Sequence, residues 1–281
     1  MQHFEGRVAV VTGGASGIGL ALARRCAAEG MKVVVGDVEK DALDASVASL
    51  RDAGADVEGV VTDVSDGEQV EALADAAVAR FGAIHLAFNN AGVGCGGLSW
   101  EMPLETWQWV IGVNLWGVVH GVRSFVPVLM RQDDAHLVNT ASIAGLVAPP
   151  FMSVYNASKH AVVAISETLH HELSMVAPHV GVSVLCPGWV ATRIMDSERN
   201  RPEHLRVPEG AGALPTGDAM QALVAEGMPP EAVADKAFAA IRDRRFWVMT
   251  HDDEGDFFVD AVARRLRSVA ERSNPELRLG T

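Results

Sequence analysis

The chain contains a single tyrosine, Tyr155, and one of its four lysines, Lys159, stands four residues later. A spacing of four puts both side chains on one face of a helix. A free phenol has a pKa near ~10 and moves protons poorly at neutral pH. An ammonium beside it stabilises the phenolate and draws that value towards the range of a general acid/base. Ser142 closes the run Asn139-Thr140-Ala141-Ser142, where its hydroxyl could hold a substrate oxygen next to the phenol. Asn114 is a polar residue within the apolar stretch 107–130, and reads either as a satisfied buried amide or as part of the same chemistry. The chain has six Trp and nine Phe. Packing can use those rings, whereas an ionisable phenol has no substitute among them.

A second constellation lies upstream. Thr12-Gly13-Gly14-Ala15-Ser16-Gly17-Ile18-Gly19 follows a β-branched run and leads directly into a helical stretch, 20–29. Glycines at a strand-to-helix turn let the backbone approach a pyrophosphate, which the helix N-terminus attracts. Gly13, Ser16, Gly17, Ile18 and Gly19 are therefore candidate cofactor ligands. Asp37 comes about twenty residues later, where a carboxylate can accept hydrogen bonds from adenosine ribose hydroxyls. It would repel a 2′-phosphate, and the glycine turn holds no arginine to attract one, which favours NAD over NADP. The alternative for Asp37 is a cap on the helix beginning near Glu39. Asp63 and the run Asn90-Ala91-Gly92 end later strands on the same edge.

These groups need a scaffold. The runs 7–12, 32–36, 57–62, 84–89, 136–140 and 180–186 read as strands buried on both faces of a parallel sheet. Helical periodicity fills the intervals, as in Val70, Leu73, Ala74, Ala77, Val78 and Phe81, with Gly54 and Gly82 as helix stops. The alternation predicts an α/β fold, a Rossmann-type doubly wound parallel sheet with ligands at the carboxyl ends of its strands. Residues 193–228 loosen into charges, Gly, Pro and scattered Met and Leu, and are expected to form a substrate lid. A helix at 231–244 and a strand at 246–249 follow. The division expected is a catalytic domain, 1–253, and a helical tail, 254–281. In the tail, residues 256–272 carry Phe257, Phe258, Val262 and Leu266 on the apolar side.

Taken together, Thr12-Gly13-x3-Gly17-x-Gly19, Asn89-Asn90-Ala91-Gly92, Asn114, Ser142, Tyr155-x3-Lys159 and Pro187-Gly188 resemble the short-chain dehydrogenase/reductase family in order and context. The likeness covers residues 5 to about 250. It implies a seven-stranded sheet and nicotinamide-dependent hydride transfer. It implies Tyr155 as the catalytic acid/base and Lys159 as the group that lowers its pKa and binds the nicotinamide ribose. It gives Ser142 the orientation of the substrate oxygen and Asn114 the support of a water-mediated proton relay. Thr192 resembles the family's carboxamide contact, Asp63 with Val64 its adenine-edge contact, and Pro187-Gly188 part of the same cradle. The glycine spacing is that of simple oxidoreductases rather than of sugar-nucleotide epimerases. Family members usually assemble as tetramers through the helices holding Asn114 and Tyr155, so a homo-tetramer or dimer is expected.

Bulk properties narrow the rest. A formal charge of −13 and a pI near 5.2 disfavour nucleic acid as a partner. Cys26, Cys95 and Cys186 read as reduced core thiols. The N-terminus shows no charged head before an apolar stretch, and 107–130 is interrupted by Asn114, His120 and Arg123, so neither a signal peptide nor a membrane span is expected and the reading is cytoplasmic. His170-His171-Glu172 lacks ligand spacing, Asp252-Asp253-Glu254-x-Asp256 lacks that of a calcium loop and reads as a helix cap, and no metal is expected. Ser142 is not in a hydrolase elbow. The expected substrate walls are 144–152, 95–97, Trp189 and the lid residues Ile194, Met195, Leu205, Leu214, Met220 and Leu223. They are apolar, so the small-molecule substrate is expected to be a bulky hydrophobic or aromatic secondary alcohol or ketone. Arg199, Arg201 and Arg206 leave room for an acidic group on it. A reductase of acyl-thioester or steroid ketones, and a cofactor-binding regulator without turnover, stay open.

Overall fold

Short β-branched runs flanked by amphipathic helices leave only one economical burial: a parallel sheet with helices on both faces. The computed structural model describes residues 1–208, 210, 217–251 and 257–274, with only the backbone at 257 and 258. The strands are β1 (Val8–Thr12), β2 (Lys32–Asp37), β3 (Val57–Val61), β4 (Leu86–Asn89), β5 (Ala135–Thr140), β6 (Val180–Cys186) and β7 (Trp247–Met249). They form one parallel sheet in the order β3-β2-β1-β4-β5-β6-β7. The chain reverses its direction of travel between β1 and β4. Such a switch point opens a crevice at the carboxyl strand ends.

Two apolar layers cover the faces. One centres on Phe88 and Phe238, whose rings stack with centroids 6.3 Å apart, and the other on Leu73, Phe125 and Leu137. Complete burial of such a side chain is worth roughly 1.5–3 kcal/mol. The expectation that every strand is buried on both faces fails at the sheet margins. β3 is half-buried along its middle and Val61 is 50% exposed, because an edge strand has a neighbour on one side only.

The helices are α1 (Gly17–Ala28), α2 (Lys40–Asp52), α3 (Gly67–Phe81), α4 (Leu104–Ile111), α5 (Gly117–Leu129), α6 (Ser153–Val176), α7 (Gly217–Ala225), α8 (Pro230–Arg242) and α9 (Phe257–Glu271). The apolar stretch 107–130 is not one helix: a π-turn, Gly112–Trp116, separates α4 from α5 and carries Asn114. Helix α8 stops before 244 because Arg244 turns with φ +52° into β7. The segment expected as a loose lid contains 3₁₀ turns at Ile194–Asn200 and Glu203–Leu205 and the helix α7, and it buries Ser197, Arg201 and Val224. Leu214, the run Asp252 to Asp256 and the side chains of Phe257 and Phe258 lie outside the described residues. No helix among those described is long and apolar enough to cross a membrane.

Candidate active site

The glycine turn is built for close approach. Gly13 and Gly17 take φ of +62° and +50°. A Cβ on Gly19 would lie 2.0 Å from the Gly13 oxygen and 2.6 Å from Asn90 Nδ2, so only hydrogen fits there. Thr12 fastens the turn across the switch point: its hydroxyl donates to the Phe88 oxygen and accepts the Asn90 and Ala91 N–H groups at 2.9 and 3.2 Å. Ser16, at the N-cap of α1, makes no side-chain cap hydrogen bond. The first N–H groups of the helix thus lack that partner and stay available to an anion.

Asp37 does more than face the crevice. One carboxylate oxygen accepts the Ala15 N–H at 2.9 Å and the other the Glu39 N–H at 3.0 Å. It therefore braces both the glycine turn and the approach to α2, where Glu39 is the capping position. Each oxygen keeps a lone pair for a ligand. Burial raises its pKa, while the backbone hydrogen bonds oppose that rise. These residues fit a dinucleotide: a cradle that a side chain would fill, an uncapped helix end and a carboxylate beside it.

The second cluster stands at the ends of β5 and β6. Ser142 is buried, accepts the Ala144 N–H at 3.1 Å and lies in hydrogen-bonding contact with the Tyr155 hydroxyl. Lys159, one turn along α6 from Tyr155, is buried and donates to the Thr140 oxygen at 3.0 Å. Its Nζ stands 5.7 Å from the centre of the phenol ring. The expected lowering of the phenol pKa by this ammonium is not what the arrangement delivers. Burial pushes Tyr155 up, and the opposing influence is the Ser142 hydrogen bond. Lys159 itself is pushed down to about 8 by burial.

Asn114 is satisfied and structural as well as close to the chemistry. Its Oδ1 accepts the Val93 N–H at 2.8 Å, and its Nδ2 donates to the Val93 oxygen at 3.0 Å and Ser158 Oγ at 3.3 Å. A Cβ on Gly92 would lie 3.4 Å from Asn114 Oδ1 and 3.5 Å from Lys159 Nζ, so Gly92 borders both side chains. The π-turn presents this side chain, and such turns recur at functional sites.

Both clusters open into one cavity of about 1720 Å³. That exceeds the roughly 300–1,000 Å³ of a pocket for one small ligand and leaves room for two. Gly13, Ser16, Gly17, Ile18, Gly19, Asp37, Asp63, Val64, Asn90, Ala91, Gly92, Ser142, Tyr155, Lys159, Pro187, Gly188 and Thr192 all line it. Asn114 alone of the expected site residues lies behind the wall. Phe151, in the apolar wall, holds φ +64°, an unusual conformation for a bulky residue that the Gly97 N–H stabilises through the Phe151 oxygen at 2.7 Å. Cys95 also faces the cavity, its thiol pushed up to about 12 by burial and hence unreactive.

The arginines expected to greet an acidic substrate are already engaged. Arg201 pairs bidentately with Glu198 at 2.6 Å and stacks 4.2 Å over Trp109. Arg199 pairs with Glu39 at 2.7 Å, and Arg206 with Glu203 at 2.9 Å. The Glu39–Arg199 link, which clasps Ile194–Asn200 to the start of α2, was invisible in the sequence because its partners lie 160 residues apart. Ser158 and the Thr140 carbonyl were missed for a similar reason. Their roles are polar supports for other site residues, and no spacing rule marks them. Among the described residues no group of three or more His, Cys, Asp and Glu could hold a metal ion.

Comparison with known proteins agrees with this geometry. The short chain dehydrogenase family profile matches residues 7–203. The 1-deoxy-11-beta-hydroxypentalenate dehydrogenase of Streptomyces exfoliatus is 41% identical over 255 residues, covering 90% of this chain and 86% of its own. A CLA biosynthesis dehydrogenase/reductase of Lactiplantibacillus plantarum is 33% identical over 270 residues, 94% of each chain. A short chain dehydrogenase/reductase from Burkholderia phymatum, solved in complex with NAD, is 48% identical, covers 100% of both chains and superposes with a TM-score of 0.96. A glycine cradle and a Ser-Tyr-Lys cluster meeting in one crevice, with likeness along the full chain, lead to one conclusion: the chain belongs to the short chain dehydrogenase family.

Proposed function

We propose that this protein interconverts a secondary alcohol and a ketone with NAD, on a bulky hydrophobic substrate. The observation that carries the reading is the single cavity in which the glycine turn and the Ser142–Tyr155–Lys159 cluster meet. Gly13 to Gly19, Asp37, Asp63, Val64, Asn90 to Gly92, Pro187, Gly188 and Thr192 would hold the dinucleotide, whose nicotinamide supplies the hydride acceptor or donor. Asp37 disfavours a 2′-phosphate by charge, and the NAD complex of the Burkholderia phymatum relative supports that choice.

In the oxidative direction Ser142 Oγ holds the substrate hydroxyl, and the Tyr155 oxygen takes its proton as the carbon gives up hydride. The proton then leaves by way of Lys159, which Gly92 and Asn114 adjoin. In the reductive direction Tyr155 gives the proton to the developing alkoxide. A phenol is protonated at neutral pH and burial raises its pKa further, so the resting enzyme stands ready as the acid. The apolar wall, with Val147, Phe151, Trp189, Met195 and Leu223, suits a hydrocarbon-rich body.

The division of labour follows: residues 1–253 form the catalytic unit, 193–228 close over the substrate, and the tail completes the pocket. Trp116 is exposed on the turn before α5, and Met175 and Val176 at the end of α6, and we assign them to contacts between copies in a tetramer or dimer. A screen of hydrophobic secondary alcohols and ketones, followed by nicotinamide absorbance, tests the function. NAD-linked turnover of at least one apolar pair, with NADP far slower, is the expected result. Turnover with none, or equal use of NADP, contradicts it.

A further inference from the structure

Helix α9 turns an unexpected face to the cavity. Ala261, Arg264, Arg265, Ser268 and Val269 recur at i, i+3, i+4, i+7 and i+8, and all five line the cavity wall. Leu266, assigned by the sequence to the apolar side, is instead 66% exposed. Arg265 fastens the helix in place by donating to the Leu146 oxygen at 2.6 Å and meeting His160 Nε2. Leu146 belongs to the segment that runs from Ser142 to Tyr155, so α9 sits on the substrate side of the crevice.

Arg264 is different from the other cations there. It is half-buried on the pocket-facing stripe, and among the described residues it has no ion pair and no hydrogen bond. Arg199 and Arg201 are neutralised by carboxylates, Arg265 is spent on a carbonyl, and Lys159 on the Thr140 oxygen. The acidic residues of the cavity do not offer it a partner: Asp37 and Asp63 stand at the ends of β2 and β3, and Glu39 and Glu198 are paired with arginines. A half-buried guanidinium without a partner among the described residues, on a largely apolar cavity, is matched by a carboxylate, which it can hold through two parallel N–H bonds.

We infer that the substrate is an apolar alcohol or ketone that also carries a carboxylate, and that Arg264 binds this group. The inference rests on the oxidoreductase reading above and names its substrate class. Arg264 is then a specificity-determining residue supplied by the tail rather than by the sheet.

The test pairs acids with their neutral esters. Hydroxystearic acid and lithocholic acid, each beside its methyl ester, serve as probes that share an apolar body and a secondary hydroxyl. For at least one pair the acid should exceed its ester in kcat/KM by about tenfold or more, the effect of a charge-assisted hydrogen bond. Arg264→Gln should remove that preference through KM, leave the ester unchanged and keep NADH affinity. Arg264→Lys should restore part of it. Titration of the NADH-loaded enzyme with the same probes reads binding without turnover. Equal use of acid and ester, no binding of either acid, or an equal loss for both in Arg264→Gln overturns the proposal. Acid binding that depends on Arg264, with no alcohol or ketone turned over by any variant, would instead overturn the oxidoreductase reading and leave the anion site standing.

Discussion

Lys159 carries a conflict between stability and chemistry. Its ammonium is buried against a carbonyl, and the fold lowers its pKa from 10.5 to about 8. The charged form is therefore disfavoured in the folded state and the full cost is present below pH 8. As pH rises from 8 towards 10.5 the unfolded chain binds the extra proton, so the wild-type fold gains stability over that window. Lys159→Met should stabilise the cofactor-free protein at pH 7 by about 2 kcal/mol, after allowing for the lost hydrogen bond, while turnover collapses. Thermal unfolding of both proteins at pH 7 and above pH 9 checks this, since the mutant's advantage should shrink at the higher pH. Tyr155 has the opposite displacement, upward through burial. Its proton-accepting form is scarce at neutral pH, so alcohol oxidation should accelerate with rising pH, whereas ketone reduction should not. A pair of kcat/KM profiles against pH decides it.

At the scale of elements, the glycine turn is the most exposed to test. Gly19→Ala would place a carbon 2.0 Å from the Gly13 oxygen, and the turn or the α1 N-terminus must shift to admit it. NADH affinity should fall at least about tenfold by fluorescence quenching, with the sheet core intact by circular dichroism. Unchanged affinity would remove the turn from the cofactor site. This motif, the strands and the Tyr155–Lys159 spacing were legible because each depends on local spacing: apolar runs, a strand–turn–helix junction, an i,i+4 pair. The π-turn at Gly112–Trp116 was not, since its extra backbone residue is stabilised by Asn114 reaching Val93 and Ser158 in distant elements. The lid arginines were misread for the same reason: opposite charges such as Glu39 and Arg199 meet only in the folded chain.

At the scale of the whole molecule, removing α9 tests whether the tail is separable in energy from the sheet. Among the described residues, the buried apolar clusters draw on the sheet and on α1 to α6 and α8, and none of their members belongs to α9. Ending the chain before α9 should leave folding and NADH binding nearly unchanged and raise the substrate KM about tenfold, because one cavity wall is lost. Unaltered KM would detach the tail from the pocket. The central claim is that one phenol moves the proton while the cradle holds NAD independently. Its most direct test is Tyr155→Phe, measured for turnover by nicotinamide absorbance and for NADH affinity by protein fluorescence on the same preparation. The account predicts a loss of turnover of about 10²–10⁴-fold with NADH affinity nearly unaltered; retained turnover with intact NADH binding would contradict it.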